Sequence, residues 1–373
     1  MRLLFWVSVA GIVYPYAGYP VLLSVLGRLR RRPALPVTPT LPTVSMIVPV
    51  HNEGKRIAAK LANTAALDYP AERIEVLFVS DGSTDDTAEF IRRGATPRMT
   101  LIEMPQRGGK AAALNAGLAN ARHEILVFTD ASIMLETGAL RAIVRQFQDP
   151  AVGCVSGEDR IADGGGEGLY GRYELWLRRL ESDVASIVGA SGSFYAQRRS
   201  LCRPFAEGMA PDFLSVLRTV EQGARAVTDS TAIGAMTSLK DPRLEFERKV
   251  RTLIRGLTTL FAHPHLLNPF RFGTFAFLLG SHKLLRWTVP FFLVGALVSA
   301  AVLWQSPLFL AALMAQVLAY AVAYAAYRQW GGLQNGMPGK VALYFVSANV
   351  SILVAWIRYF QGVRQELWTP SAR

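Results

Sequence analysis

The chain divides into long apolar runs at its two ends and a central stretch of shorter alternating segments. The first apolar run covers 3–26 and contains no charged residue, which fits the ~20 residues that a helix needs to cross a bilayer. Arginines follow it, between positions 28 and 32. A signal peptide has its charges before the apolar run, so the pattern predicts an uncleaved transmembrane anchor over 1–27.

Three further apolar runs close the chain, at 284–304, 307–327 and 341–360. Each is long enough to span a membrane, and together they predict three transmembrane helices over 284–361, followed by a tail over 362–373. The positive-inside rule puts the arginines after the first span in the cytoplasm. The last span conflicts with this rule, because Arg358 and Arg364 lie at its expected outer end, and its orientation stays open.

Two connecting segments have compositions of their own. Residues 28–43 are basic and rich in proline, which disfavours helix and predicts an extended linker. Residues 236–283 mix arginine, histidine, proline and phenylalanine, a pattern typical of amphipathic segments that lie on a membrane surface.

Between these parts, short apolar strands alternate with helix-length segments. The strands are SMIVPV, IEVLFVS, MTLIEM, EILVFTD and VGCVSG. Continuous apolar strands separated by helices indicate a parallel sheet that is covered on both faces. The pattern therefore predicts a cytoplasmic α/β domain over 44–235, with a doubly wound, mostly parallel, Rossmann-like sheet.

Composition supports the membrane interpretation. Only 18% of residues are charged and 51% are hydrophobic, while 40 Lys and Arg against 28 Asp and Glu give a net charge of +12. The basic residues form no stripe interleaved with aromatic residues, so nucleic acid is not an expected partner. Cys154 and Cys202 form no metal-binding or disulfide pattern.

Two carboxylates end predicted parallel strands: Asp81 in VSDGSTDD and Asp130 in FTDAS. Ligands of open α/β sheets bind beyond the carboxyl ends of the strands. Asp81 is placed to accept hydrogen bonds from a nucleoside, and Asp130 is placed to ligate a divalent cation. The alternative is that both are helix N-caps, a position that favours Asp.

A downstream helix carries aromatic and basic residues that have a simpler explanation. Tyr170, Tyr173 and Trp176 have helical spacing and are interpreted as core residues. Arg178 and Arg179 are interpreted as a solvated or lipid-phosphate-facing surface.

The motifs SMIVPVHNE, VSDGSTDDT, GGKAAALNAG and FTDAS, in this order, resemble those of the inverting family 2 glycosyltransferases of GT-A type. Cellulose, chitin and hyaluronan synthases and many bacterial exopolysaccharide transferases belong to this family. The resemblance continues through VGCVSGEDR, ASGSFYA, APDFLSVLRTVEQGARAV and EFERKVRTLIRGL, and so covers about 44–257.

The resemblance implies roles for nine residues. Those expected to bind the nucleotide sugar are Pro49, Glu53, Asp81, Lys110 and Asp130. Asp130 is also the expected ligand of Mg²⁺ or Mn²⁺, and Asp212 is the expected catalytic base. Residues expected to face the acceptor are Gly192, Arg248 and Arg251.

Four positions depart from the family pattern. Ser132 replaces the second Asp of the DxD motif, which puts the strength of metal binding in doubt. Pro211 replaces the acidic residue before Asp212. Arg248 and Thr252 replace the Gln and Trp of the Q-x-x-R-W motif of processive synthases, so processive polymerisation is uncertain.

The resemblance implies a transferase in the bacterial inner membrane that moves a sugar, with inversion, from a nucleoside diphosphate to a saccharide or lipid-linked acceptor. It would act in cell-surface or exopolysaccharide synthesis, with membrane lipids as partners. The alternatives are a single-addition transferase acting on a polyprenyl-linked acceptor, and a non-catalytic partner subunit. A transporter is disfavoured, because the predicted spans carry no acidic residue and no inverted repeat.

Overall fold

A computed structural model describes residues 1–29, 40–161, 166–236 and 241–364. Its centre is one eight-stranded sheet with the strand order β3-β2-β1-β4-β7-β6-β8-β5. The strands are β1 (Val44–Val50), β2 (Ile74–Asp81), β3 (Met99–Met104), β4 (Ile125–Thr129), β5 (Met134–Leu135), β6 (Val152–Ile161), β7 (Phe194–Arg198) and β8 (Arg225–Met236).

The sheet is mixed, and the half formed by β3, β2, β1 and β4 is parallel. β1 pairs in parallel with both β2 and β4, and β2 pairs in parallel with β3. β7 runs antiparallel between β4 and β6, while β6 and β8 are parallel. The predicted fold class is confirmed, and the antiparallel β7 is the part that the alternation of strands and helices did not reveal.

Helices cover both faces of the sheet and extend beyond it. They are α1 (Arg2–Val13), α2 (Tyr19–Leu29), α3 (Ile57–Ala65), α4 (Thr87–Gly94), α5 (Gly109–Asn120), α6 (Ala139–Arg145), α7 (Gly166–Val184), α8 (Pro211–Glu221), α9 (Pro242–Ala262), α10 (Pro269–Leu279), α11 (Arg286–Val302), α12 (Pro307–Tyr327) and α13 (Met337–Phe360).

The burial of the central strands explains their sequence. Every residue of β1, β2 and β4 is buried. Helices lie on both faces of the sheet, so neither set of alternate side chains along a strand faces solvent. One apolar core lies on each face: Ile47, Leu77 and Leu126 belong to one, and Met46 and Val76 to the other. A strand with no polar face is the expected signature of a parallel sheet in an α/β domain.

Within the described residues, four helices are long and apolar enough to cross a membrane: Arg2–Leu29, Pro269–Val302, Pro307–Tyr327 and Met337–Phe360. The second joins α10 to α11 through a π-helical segment, Gly280–Leu285. It therefore takes in residues that the sequence pattern placed in the interfacial segment over 236–283. The linker over 28–43 and the tail over 362–373 lie mostly outside the described residues, and the predicted domain boundaries stay predictions.

A buried polar cluster joins α7 to the second candidate span. Glu181 is 1% exposed; it accepts a hydrogen bond from Tyr19 Oη at 2.8 Å, and its Oε1 lies 2.5 Å from His282 Nδ1. Glu174 forms an ion pair with Arg286. Because buried charges are tolerated when they are paired and hydrogen-bonded, this cluster holds the α/β domain in a defined position on the spans.

Candidate active site

One cleft of about 370 Å³ brings together most of the predicted site residues. Its walls include seven of them: Glu53, Lys110, Asp130, Gly192, Asp212, Arg248 and Arg251. Pro49 lines a small cavity next to it, together with Lys110, Asp130 and Asp212. The cleft lies beyond the carboxyl ends of the parallel strands, where ligands of open α/β sheets bind.

Lys110 and Asp130 form an ion pair at the floor of the cleft. Asp130 follows β4, and Lys110 lies in the first turn of α5; Lys110 Nζ is 2.5 Å from Asp130 Oδ1. The same ammonium donates to the carbonyl oxygen of Gly192 at 3.1 Å. Gly192 is close because β7 pairs with β4, with Phe194 opposite Thr129.

Asp81 supports this arrangement from below and does not line the cleft. It is fully buried, and the N–H groups of Gly108 and Gly109 donate to its two carboxylate oxygens at 2.6 and 2.9 Å. Its charge thus lies at the N-terminus of α5, where a helix favours an anion. Asp81 therefore caps a helix distant in sequence and holds the turn that presents Lys110; nucleotide contact by Asp81 stays a prediction.

Glycine is required next to Asp81. Gly82 has a φ of +57°, and a Cβ there would lie 2.7 Å from the backbone nitrogen of Arg107. The strand end can approach the 106–109 turn only because this residue has no side chain.

Asp212 lies in the first turn of α8, after Pro211 at the first helical position. Proline suits that position because its missing N–H would be unpaired there. Burial raises the pKa of the Asp212 carboxyl, and the positive charge of Lys110 partly offsets this. A carboxyl whose pKa is raised toward neutrality suits a general base.

Glu53 contributes a second carboxyl to the cleft. It is 5% exposed and forms an ion pair with Arg56 at 3.2 Å. Burial raises the pKa of Glu53, and Arg56 partly offsets the rise. Its backbone N–H donates to Thr87 Oγ1 at 2.8 Å, which ties the loop after β1 to the start of α4.

Arginines of α9 form another part of the cleft wall. Arg248, Arg251 and Arg255 have the spacing i, i+3, i+7 and lie on one face of α9, as helical geometry requires. Burial lowers the pKa of Arg251 and of Arg255. Guanidinium groups recognise phosphate through paired hydrogen bonds, so this wall is suited to a phosphorylated ligand.

Several residues of the cleft were missed or misjudged from the sequence. Arg178 is half-buried and lines the cleft, which its interpretation as a solvated or lipid-facing surface did not predict, whereas its neighbour Arg179 is exposed. Asp159 also lines the cleft; it accepts a hydrogen bond from Ser191 Oγ at 2.5 Å, and burial raises its pKa. The i, i+3, i+7 spacing of Gly171, Glu174 and Arg178 on α7 was the signal that could have revealed this wall.

Lys60 was missed for a different reason. It is fully buried beneath the segment after β4, where its Nζ donates to Thr129 Oγ1 at 3.1 Å and to the carbonyl oxygen of Ile133 at 2.8 Å. It thereby fixes the segment that carries Asp130. In the sequence, Lys60 is a single lysine in an amphipathic helix, and this pattern does not indicate that it is buried.

The donor set fits a magnesium-type ion that is shared with a substrate. The Asp130 carboxylate and the Ser132 hydroxyl both line the cleft. Within the described residues, no group of three or more His, Cys, Asp or Glu residues could hold a metal by itself. Mg²⁺ is usually held by one or two carboxylates together with substrate phosphates and water, which is the set that Asp130 and a diphosphate would supply.

Comparison with known proteins identifies the domain. Residues 45–205 match the profile of glycosyl transferase family 2. The chain is 29% identical over 160 residues to the poly-beta-1,6-N-acetyl-D-glucosamine synthase of Staphylococcus aureus strain COL, across 42% of this chain and 37% of that protein. The same-named protein of Staphylococcus epidermidis is 29% identical over 167 residues, across 40% of its length.

A solved structure resembles almost the whole chain. The mannosyltransferase PcManGT from Pyrobaculum calidifontis, in complex with GDP-Man and Mn²⁺, superposes with a TM-score of 0.73 and 25% identity. The match covers 96% of this chain and 99% of that one. Residues 45–205 therefore form a glycosyltransferase domain that matches family 2, as the sequence motifs predicted, and the chain has the GT-A fold. The chain spans well under half the length of the curated synthases that it matches.

Proposed function

We propose that this protein transfers a sugar from a nucleoside diphosphate to a saccharide or lipid-linked acceptor at the cytoplasmic face of a bacterial inner membrane. The observation that carries the proposal is the convergence of Lys110, Asp130 and Asp212 in one cleft from three separate elements. PcManGT was solved with GDP-Man, and the staphylococcal relatives are named for a glucosamine polymer. The donor of this protein is accordingly sought among nucleotide sugars.

The leaving diphosphate gains negative charge as the glycosidic bond breaks, and the cleft offers cations to receive it. Lys110 is held beside Asp130, within reach of a diphosphate that approaches the same carboxylate. A divalent ion bound there would supply further electrostatic stabilisation of the leaving group. Fixed cations in a partly dehydrated cleft stabilise developing charge more strongly than water does.

Asp212 takes the proton of the acceptor hydroxyl in this proposal. A Cβ added to Gly192 would lie 3.7 Å from the Asp212 carboxylate, so the absence of a side chain at Gly192 leaves room in front of that carboxylate. The acceptor hydroxyl would attack as the diphosphate departs, in a single displacement that inverts the anomeric centre. The proton passes to an Asp212 oxygen as the new glycosidic bond forms.

Single addition is the second candidate. Thr252 is exposed in the cleft at the position of the Trp of the Q-x-x-R-W motif. It offers no aromatic face on which a growing glycan chain could stack. This favours transfer of one sugar over processive polymerisation.

The test is nucleotide release from a panel of UDP-, GDP- and dTDP-sugars by the full chain in lipid nanodiscs with Mg²⁺ or Mn²⁺. Release from one donor that depends on added acceptor, and that is lost in Asp212→Asn, supports the proposal. Equal release by the wild type and Asp212→Asn would contradict it. Product length on a gel separates single addition from polymerisation.

A further inference from the structure

Lys283 lies on the second candidate span, in the π-helical segment Gly280–Leu285 that joins α10 to α11. It is half-buried. Single π-helical turns are rare and are frequently found at functional sites. Within the described residues, Lys283 forms no hydrogen bond and no ion pair, and its contacts are with aromatic rings. Its charge is therefore free to act on groups beyond contact distance.

The ammonium of Lys283 lies beside the first turn of α8. Its Nζ is 5.6 Å from the centre of the Phe213 ring and 5.9 Å from that of Trp287, within the range of cation–π attraction. It also approaches the loop before β7, because a Cβ added to Gly189 would lie 3.3 Å from Nζ. Phe213 directly follows Asp212, so a side chain of a candidate span reaches the helix turn that carries the expected base.

The carboxylates of α7 near Lys283 have closer partners. Glu174 pairs with Arg286, and Glu181 accepts a hydrogen bond from Tyr19 Oη at 2.8 Å. Neither carboxylate is within ion-pair distance of Lys283. Contact with α7 therefore does not compensate the charge of this lysine.

Asp212 is the complementary case, an anion without a contacting cation. In the part of the chain that the structure describes, its carboxylate forms no ion pair and no hydrogen bond to another residue. Burial raises the pKa of Asp212, and the charges of Lys110, Lys283 and Arg178 lower it. The titratable and charged groups that act on it come from α5, the second candidate span, α7, α9, β7 and β6: Lys110, Lys283, Arg178, Arg255, Tyr195 and Cys154.

Lys283 differs from the cations that line the cleft. Lys110 is paired with Asp130, and an Nη atom of Arg178 donates to Ser156 Oγ at 3.1 Å. A donor diphosphate in the cleft would also attract Lys110 and offset its effect on the base. Lys283 is not part of the cleft wall, so a bound donor leaves its charge available.

We propose that Lys283 is a positioning residue for sugar transfer, whose ammonium holds Asp212 in the anionic state that takes the proton of the acceptor hydroxyl. This rests on the proposed function, in which Asp212 is the base. The buried rings of Phe213 and Trp287 keep water from part of the space beside the ammonium, and charges interact more strongly where water is excluded. The readiness of the base would thus depend on the seating of the α/β domain on the span.

The first test is the pH profile of nucleotide release by the full chain in nanodiscs. Loss of the cation should raise the pKa of Asp212, so the acidic limb of Lys283→Met should move upward by about one pH unit. Activity on the limb then falls about tenfold, while the plateau at high pH stays nearly unchanged. Lys283→Arg should keep the wild-type limb. A lower plateau with an unmoved limb would assign Lys283 a purely structural role and overturn the inference.

Lys340→Met is the matched control. Lys340 is also a half-buried lysine of a candidate span, but it lines a second cavity together with Tyr170 and Tyr173, two residues that the sequence pattern placed in the core. Removing its charge should leave the acidic limb in place. Equal shifts in Lys340→Met and Lys283→Met would indicate a general effect of net charge and contradict the specific role.

Chemical rescue separates charge from folding. Treating Lys283→Cys with 2-bromoethylamine adds an aminoethyl group and so rebuilds a side chain with the length and charge of lysine. The native Cys154 and Cys202 are both buried and are protected from the reagent. We expect the limb of the untreated variant to be shifted and that of the treated variant to return. A treated protein that carries the modification and keeps the shifted limb would contradict the role of the charge.

A direct titration separates this inference from the proposed function. Carbodiimides modify protonated carboxyl groups, so the pH dependence of labelling at Asp212, mapped by mass spectrometry, reports its protonation without turnover. The midpoint should rise by about one pH unit in Lys283→Met. An unchanged midpoint would refute the role of Lys283 and leave the transfer reaction intact. A raised midpoint with no nucleotide release from any donor would refute the transfer reaction, and with it a role of Lys283 in transfer, while the charge interaction would stand.

Discussion

Lys110 Nζ lies 2.5 Å from Asp130 Oδ1 in the floor of the cleft, so the expected metal ligand already has a cation as its partner. A divalent ion at Asp130 must compete with this ammonium. When a diphosphate arrives, the ammonium gains a second anion within reach. In the proposed reaction, the pair would therefore link metal binding and leaving-group stabilisation through a single lysine.

Replacing Lys110 should separate these two effects. We expect Lys110→Met to lower kcat by about 10²-fold, because one fixed cation on the leaving group is lost. The same variant should bind Mg²⁺ more tightly, since Asp130 no longer has a competing partner. Metal titrations of nucleotide release measure both effects. Lys110→Arg keeps the charge and serves as the control; weaker metal binding in Lys110→Met would contradict the argument.

Asp212 should determine the acidic limb of the pH profile. Burial raises its pKa above the ordinary value for Asp, and a base acts only when deprotonated. Activity should therefore fall as pH drops through this raised pKa and level off above it. Since Lys110 lowers the pKa of Asp212, Lys110→Met should move the limb to higher pH.

The variant Asp212→Asn tests the same carboxylate directly. Loss of a general base costs about 10²–10⁴-fold in rate, and donor binding should be unchanged because the proposal places Asp212 at the acceptor. Rate profiles from pH 5 to 9 and donor binding by calorimetry provide the measurements. An acidic limb that persists unshifted in Asp212→Asn would assign it to another group, such as Glu53 or Asp159.

Ser132 should limit metal affinity. It lines the same cleft as Asp130 but offers only a hydroxyl, a weaker ligand than a carboxylate for a hard cation. Ser132→Asp should lower the Mg²⁺ concentration for half-maximal activity by about tenfold, equivalent to ~1.4 kcal/mol. Ser132→Asn, of similar size but neutral, is the matched control. Unchanged metal dependence in Ser132→Asp would place the ion away from this segment.

Gly192 should control access of the acceptor to Asp212. A Cβ there meets the Asp212 carboxylate at 3.7 Å, an ordinary contact, so Gly192→Ala should leave the unfolding temperature nearly unchanged. The methyl group would occupy space in front of the base and raise the acceptor KM, by about tenfold if ~1.4 kcal/mol of binding is lost. Gly138→Ala, with no atom within 4 Å of its Cβ, is the control and should change neither quantity.

The cluster around Glu181 should contribute strongly to stability. Removing one member of a buried, paired set leaves its partners unsatisfied and typically costs ~3–5 kcal/mol. Glu181→Ala should therefore lower the unfolding temperature in detergent markedly, as Tyr19 and His282 lose their partner. Glu89→Ala removes an exposed pair with Arg93, which is worth at most ~1 kcal/mol. Similar losses in both variants would show that the cluster has no special role.

The sequence alone determined the α/β class, the family and the candidate spans. Buried parallel strands have no polar face, so their apolar runs are visible in sequence, and a span is visible through its length and lack of charge. Asp81, Lys110, Asp130 and Asp212 could be selected because each lies in a local motif at a strand end, in a turn or at a helix start.

Only the tertiary structure decided how these residues meet. The antiparallel pairing of β7 with β4 brings Gly192 beside Lys110. The hydrophobic pattern of a strand does not specify which other strand it pairs with. Asp81 supports a helix N-terminus 27 positions further along the chain. The arginines of α7 and α9 become a cleft wall because those helices pack near the spans. Local periodicity can place such residues on one face of a helix, but packing between elements distant in sequence decides what that face contacts.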